Sequence, residues 1–347
     1  MKLSVIVPVY NMAAGNRLVF CLDSLMAQSV KDMEVIAVDD ASTDESPQIL
    51  KAYEQKYPDR FRAVYCDVNH RQGGAKNRGL KEARGEWVGF TDSDDFLAPD
   101  MYEKLLAKAE ETGADIVGCD YSIVDKQSFE TGKRVVNNSS DQTGMLDEEK
   151  HKSHILNSGS MVVKIYLRSV IEDNALAFPE GIFYEDNCAA PLWSLYFKHF
   201  ERVDEALYYY LQIPDSTTHH VSFEKCEDRM KAMEQLLSEC ERRGFSEKYG
   251  AEIRMRVAEL GYVNTLFSYM YDGRPRKLKD CAEIKDYILR LYPEFRENPY
   301  YMERVNPEYR KFIDLQMKSD VLFFVYYILL YGYRNVRKRL SGQKPSE

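Results

Sequence analysis

The first half of the chain alternates short apolar runs with apolar positions at helical spacing. Leu3–Val9 is a continuous apolar run, as expected of a strand covered on both faces. Leu18, Cys21, Leu22 and Leu25 then fall at i, i+3, i+4 and i+7, one face of a helix. Glu34–Asp39 predicts a second strand, and the Ser42–Pro47 stretch opens a helix with a capping residue and an early proline. Phe61–Cys66 reads as a strand, Gly73–Ala83 as a helix, Trp87–Thr91 as a strand and Pro99–Glu111 as a helix. Ala114–Val124 is a further strand. This order predicts a mostly parallel sheet with helices on both faces, and ligands at the carboxyl ends of its strands. The polar tips Pro8–Asn11, Asp39–Asp44 and Asp92–Asp95 all lie at such ends, so they converge on one edge.

Lys126–Lys150 is polar and reads as an irregular excursion or hairpin. From about Ser222 helical patterns dominate, which divides the chain into 1–220 and a mainly helical 221–347. Val321–Tyr333 is mostly apolar and is followed by Arg334, Arg337, Lys338 and Arg339. Its thirteen residues are too few to span a bilayer, which takes about 20. Two readings stand: a helix in the membrane interface beside anionic lipid, or a terminal helix docked on the protein's own core.

A net charge of −9 and a pI near 5.4 argue against a general nucleic-acid binder. The seven cysteines are odd in number, widely spaced and without a CxxC pair, as expected of reduced core residues. The chain enters its first strand at Leu3 without a charged leader and apolar segment. A cytoplasmic location is therefore expected, with the inner membrane face as a possible partner surface.

Gly85–Asp95 carries the densest chemistry. A short apolar strand ends in Asp92, Asp94 and Asp95, and that much negative charge needs a cation or hydrogen bonds to answer it. Hard oxygen donors suit Mg²⁺ or Mn²⁺ completed by substrate phosphates; an ordinary polar turn is the alternative. Similar pairs of readings apply elsewhere. Tyr10 is a site residue or a strand-end core aromatic, Asp40 a site residue or the start of an Asx turn. Asp39 reads as a helix cap. Gly73 and Gly74 lack the GxGxxG spacing and suit a tight turn. Lys76 and Arg78 meet phosphates or are simply solvated, and His219 and His220 are a metal ligand or a surface pair.

Five segments together resemble the inverting glycosyltransferases of family 2, with the GT-A fold. They are Ser4-Val-Ile-Val-Pro-Val-Tyr-Asn11, Val38-Asp-Asp-Ala-Ser-Thr-Asp44, Arg71-Gln-Gly-Gly-Ala-Lys-Asn-Arg-Gly79, Asp92-Ser-Asp-Asp95 and Tyr184-Glu-Asp186. The resemblance covers roughly residues 1–220 and implies a Rossmann-like domain for a nucleoside diphosphate sugar, expected to be UDP-linked. It implies that Pro8, Val9 and Tyr10 line the base pocket and that Asp40 bonds the uracil or ribose. Asp92 and Asp94 would be the DxD motif, with Asp94 the ligand to Mn²⁺ or Mg²⁺ and Asp92 nearer the ribose or donor sugar. Asp186 would be the catalytic base, taking a proton from a glycan or lipid-linked acceptor. Two departures bear on the diphosphate: Lys76 stands where the family usually has Arg, and Gln212 where it often has Arg ahead of a Ser that Ser216 matches. A nucleotidyltransferase and a glycan-binding scaffold on a decayed transferase fold are the competing expectations.

Overall fold

The computed structural model describes residues 1–130, 132–212 and 221–340. The chain divides into two compact units, Met1–Ser216 with Ser238–Gly244, and Thr217–Leu237 with Phe245–Glu347.

In the first unit the apolar runs become strands β1 (Leu3–Val9), β2 (Met33–Asp39), β3 (Phe61–Tyr65) and β4 (Trp87–Phe90). These pair in parallel in the order β3-β2-β1-β4. Every residue of β1 and β2 is buried, which is why Leu3–Val9 reads as a continuous apolar run and β2 as a shorter one between Glu34 and Asp39. β3 lies at the sheet's edge and is buried only at Phe61. The remaining strands are β5 (Phe96–Leu97), β6 (Ile116–Val124), β7 (Lys133–Val135), β8 (Gly144–Met145), β9 (Lys164–Leu167) and β10 (His199–Leu211). β9 runs antiparallel between β4 and β6, while β10 is parallel to β6 and antiparallel to β5. The whole sheet is therefore mixed: β1 to β4 form one parallel block, and the β6–β10 pair adds a second parallel pairing. The Lys126–Lys150 excursion contains β7, β8 and the start of a helix, Glu148–Leu156.

Register fixes the site. Val9 pairs with Asp39, Asp39 with Tyr65, and Ile6 with Phe90, so the chain leaves β1, β2 and β4 at one edge. Helix Arg17–Met26 buries Leu18, Cys21, Leu22 and Leu25, the face its spacing predicts. Helix Arg71–Glu82 lies close on β1, where a Cβ at Gly79 would come within 2.4 Å of the Ile6 side chain. All seven cysteines are free and six are buried.

Lys164 is an anomaly of this core. It is buried in β9, donates to the Ser158 carbonyl and lies over the Phe200 ring. Burial pulls its ammonium down to about 7. The ordinary value of about 10.4 holds in the unfolded chain, so between these limits the unfolded state binds the proton more readily. Lys164 therefore destabilises the fold most below pH 7, and the penalty fades as pH rises toward the unfolded value. Lys164→Met should melt higher than wild type near pH 6.5, by about 1–3 kcal/mol of stability, with the gap narrowing near pH 9.5. Melting curves of both proteins at the two pH values check this; a gap independent of pH would mean that Lys164 stays in one protonation state.

The second unit is helical, with helices at Ser246–Arg256, Thr265–Asp272, Leu278–Leu291, Pro307–Lys318 and Asp320–Leu340. Between the first two, Val257–Asn264 widens into a π-helical turn. Gly261 sits there against Tyr287, and a Cβ would meet the phenol oxygen at 2.5 Å. Tyr262, Tyr269, Phe295, Phe323 and Tyr327 form its aromatic core.

Candidate active site

The loops after β1 and β2 are locked together by short polar side chains. The Thr43 amide donates to Asn11 Oδ1 at 2.8 Å, and the Asn11 amide to Ser42 Oγ at 2.9 Å. Met12 and Ala13 donate their amides to Ser46 Oγ and Asp44 Oδ2 at 2.8 and 2.9 Å. Asn11 takes the left-handed conformation (φ 53°), which asparagine tolerates. Pro8 and Val9 are buried at the strand end, and Tyr10 is 46% exposed, so Tyr10 is no core aromatic.

Asp39 accepts the Ser42 amide at 3.2 Å through Oδ2, while its Oδ1 is buried without a partner. Asp40 is buried and receives the His70 amide on both oxygens, at 2.9 and 3.1 Å. Burial pushes its carboxyl up, against the pull of that amide. Its role in the structure is to hold the loop that leads into helix Arg71–Glu82.

The three aspartates after β4 divide their work. Asp95 is buried and accepts from the Tyr208 hydroxyl at 2.7 Å and the Leu211 amide at 2.8 Å, tying the turn to β10. Asp92 and Asp94 are half-buried, and Asp92 Oδ1 is buried with no partner. Burial raises both carboxyls, Asp92 to about 6 in spite of the opposing charge of Lys76. The charges of Lys76, Asp94, Glu185 and Asp186 all bear on Asp92, so these groups share one site.

Residues 178–186 come to that site by close contact with helix Arg71–Glu82. A Cβ at Gly73 would stand 1.8 Å from the Pro179 carbonyl oxygen, and one at Gly74 2.3 Å from the His70 Cβ. Both glycines lie inside helix Arg71–Glu82 without a positive φ, so they serve this close approach and not the tight turn that their sequence suggests. Asn77 donates to the Phe178 carbonyl at 2.9 Å and accepts the Phe178 amide at 2.8 Å. Arg71 stacks on the Phe183 ring at 4.2 Å. Tyr184, left-handed at φ 63°, then starts helix Glu185–Ser194 with both acidic residues in its first turn, where the helix dipole favours them.

The two acids face different surroundings. Glu185 is buried and pairs with buried Lys76 at 2.7 Å. Asp186 is solvent-exposed, yet the protein crowding it and the Glu185 charge raise its carboxyl above the usual range. A reachable carboxyl of raised basicity is what a proton acceptor requires.

Among the described residues, no group of three or more His, Cys, Asp and Glu side chains could hold a metal ion. Asp92 and Asp94 supply hard oxygens with one lone-pair site left orphaned in the protein. That donor set fits a Mg²⁺ or Mn²⁺ ion that takes the rest of its shell from water and diphosphate. Ser216, His219 and His220 lie outside the described residues. Sequence reasoning missed the Asn11–Ser42–Asp44–Ser46 brace, the Lys76–Glu185 pair and the Tyr208–Asp95 tie. The first was visible as a polar run following a strand; the other two join residues 109 and 113 positions apart and left no local signal.

Residues 4–172 match the family model described as glycosyl transferase family 2. This stretch belongs to that family. Within the family 2 domain lie β1 to β4, the acidic turn and the Gly73–Lys76 helix, while Glu185 and Asp186 follow just beyond it. A glycosyltransferase of Bacillus subtilis, EpsJ, is 33% identical over 221 residues, 62% of this chain and 62% of its own. Two further curated glycosyltransferases, of Escherichia coli and B. subtilis, are matched over 54% and 50% of their length. The chain thus spans 50–62% of the length of these relatives. The solved structure of S. aureus TarS 1–349 in complex with UDP-GlcNAc has a TM-score of 0.68 at 22% identity, covering 100% of this chain and 93% of that one. A mannosyltransferase of Pyrobaculum calidifontis, solved with GDP-Man and Mn²⁺, has a TM-score of 0.50 at 18% identity, covering 86% and 83%. Both share the fold of the family 2 domain. Among the described residues no helix is long and apolar enough to cross a membrane.

Proposed function

We propose that this chain transfers a sugar from a nucleoside diphosphate sugar to a hydroxyl of a surface-glycan or lipid-linked acceptor, with inversion at the anomeric carbon. The observation that carries this reading is the gathering of Asp92, Asp94, Lys76, Glu185 and Asp186 at one sheet edge. Pro8, Val9 and Tyr10 receive the base, and Asp40 bounds the pocket through the loop it holds. A UDP-linked donor is chosen on likeness to the S. aureus structure solved with UDP-GlcNAc.

A single displacement needs the acceptor's proton removed and the charge of the leaving diphosphate stabilised, and this chain's residues are assigned to both tasks. Asp186 takes the acceptor's proton as the hydroxyl attacks; no second carboxylate is needed as nucleophile, so the configuration inverts. Lys76, buried behind Glu185, acts on the diphosphate through its field rather than by contact. Asp94, with Asp92 beside it, would hold Mn²⁺ or Mg²⁺, which when bound supplies Lewis-acid stabilisation of the leaving diphosphate.

A thermal-shift panel of nucleotide sugars with and without Mn²⁺ tests the donor, because a ligand of the folded state raises the melting temperature. Asp94→Ala should remove the Mn²⁺-dependent part of UDP binding with its melting temperature nearly unchanged. Calorimetric titration of UDP into both proteins measures this. Equal affinity and equal metal dependence in the variant would take Asp94 out of the site.

A further inference from the structure

Helix Asp320–Leu340 has two unlike faces. Phe323 and Tyr327 are fully buried against the second unit, and Tyr327 stacks on Tyr331 at 4.2 Å. Lys285 pairs with Asp320, and Arg334 with Glu308 at 2.6 Å, so the helix is held at both ends. The opposite face is bare. Val321, Leu322, Val325, Tyr326, Leu329 and Tyr333 are between 49% and 65% exposed. At 100° per residue these positions form one continuous stripe, and no charged residue interrupts it from Val321 to Tyr333. A soluble surface rarely leaves so contiguous an apolar strip uncovered.

We infer that this stripe is a docking face for an anionic lipid bilayer, on which the helix lies in the interfacial plane. Three features select lipid over a second copy of the chain. Beyond Arg334, which Glu308 already holds, the sequence adds Arg337, Lys338 and Arg339 with no acid among them, a basic run on a chain of net charge −9. Such bases attract anionic headgroups, whereas two copies aligned side by side would set like charges together. Tyr326 and Tyr333 lie on the exposed face, and tyrosine favours the boundary between hydrocarbon and headgroups. Finally, the buried face is already packed, so the helix offers only its apolar side. It is anchored as a surface element and needs no spanning length.

The test is co-sedimentation of the full chain with vesicles of phosphatidylcholine, alone or mixed with phosphatidylglycerol, at low and high salt. The mixed vesicles should bind the protein about tenfold more strongly than the neutral ones, and high salt should release much of it. The Leu322→Glu, Leu329→Glu double variant should lose about tenfold in binding with an unchanged melting curve, since both side chains face outward. If that variant misfolds, Val325→Glu serves in its place. Three results would overturn the inference: no sedimentation with the mixed vesicles, undiminished binding by a folded variant, or a wild-type dimer by light scattering that the variant splits while neither protein binds lipid.

Discussion

Asp186→Asn should abolish sugar transfer, by about 10³-fold or more, while leaving donor affinity within a factor of about two. The amide keeps the size and hydrogen-bonding reach of the carboxylate but cannot take the acceptor's proton. Asp186 is exposed, and its raised carboxyl puts the useful deprotonated form above the ordinary carboxylate range. Transfer by the wild type should therefore increase as pH rises through that raised value. The variant should lose this limb of the profile along with the rate. Glu185 is a poor substitute because its carboxylate is buried and spent on Lys76. Transfer rates across pH, with donor binding measured in parallel, check both parts. A variant that retains near-normal transfer would place the base elsewhere.

The second large effect belongs to a residue that touches no substrate. Gly73→Ala puts a methyl group 1.8 Å from the Pro179 carbonyl oxygen and 3.2 Å from the Glu185 Cβ. The first contact is with backbone and cannot be relieved by rotating a side chain. Helix Arg71–Glu82 and residues 178–186 must then separate, at a cost of about 1–3 kcal/mol for an overpacked interior. Glu185 and Asp186 move with that segment. Displacement of a catalytic group by about 1 Å can cost 10²-fold in rate, so transfer should fall far more than stability does. Gly250→Ala is the control, because nothing lies within 4 Å of its added methyl group. Melting temperature and turnover of the two variants provide the measurement; wild-type turnover in a folded Gly73→Ala protein would contradict the packing argument.

These residues also show where sequence reasoning succeeds and where it ends. The buried parallel strands were legible because burial on both faces imposes a continuous apolar run, as in Leu3–Val9. Helix Arg17–Met26 was legible because its apolar positions repeat with the helical period. β9 was not: Lys164-Ile-Tyr-Leu167 is only four residues long and begins with a charge. The short antiparallel strands β5 and β8, two residues each, carry no periodicity at all. At the site, the residue types at Asp92 and Asp94 pointed to chemistry, and Asp186 was reached only through the family resemblance. Their partners did not follow, since pairing across a hundred residues is set by tertiary packing and not by spacing. Lys76 illustrates the difference: a base on a helix opening suggests a phosphate contact, and the fold gives it a buried carboxylate instead.

That buried pair has a consequence for ionic strength. Dissolved ions weaken the attraction between charges they can surround, over about 8 Å at physiological salt. Lys76 and Glu185 are shut away at 2.7 Å from one another, with side-chain exposures of 4% and 5%. No counterion enters between them. Added salt thus leaves the electrostatic support beneath Asp186 intact while it screens the exposed charges elsewhere on the chain. The groups that prepare the chemistry are insulated from the medium, and only the protein's outward charges answer to it.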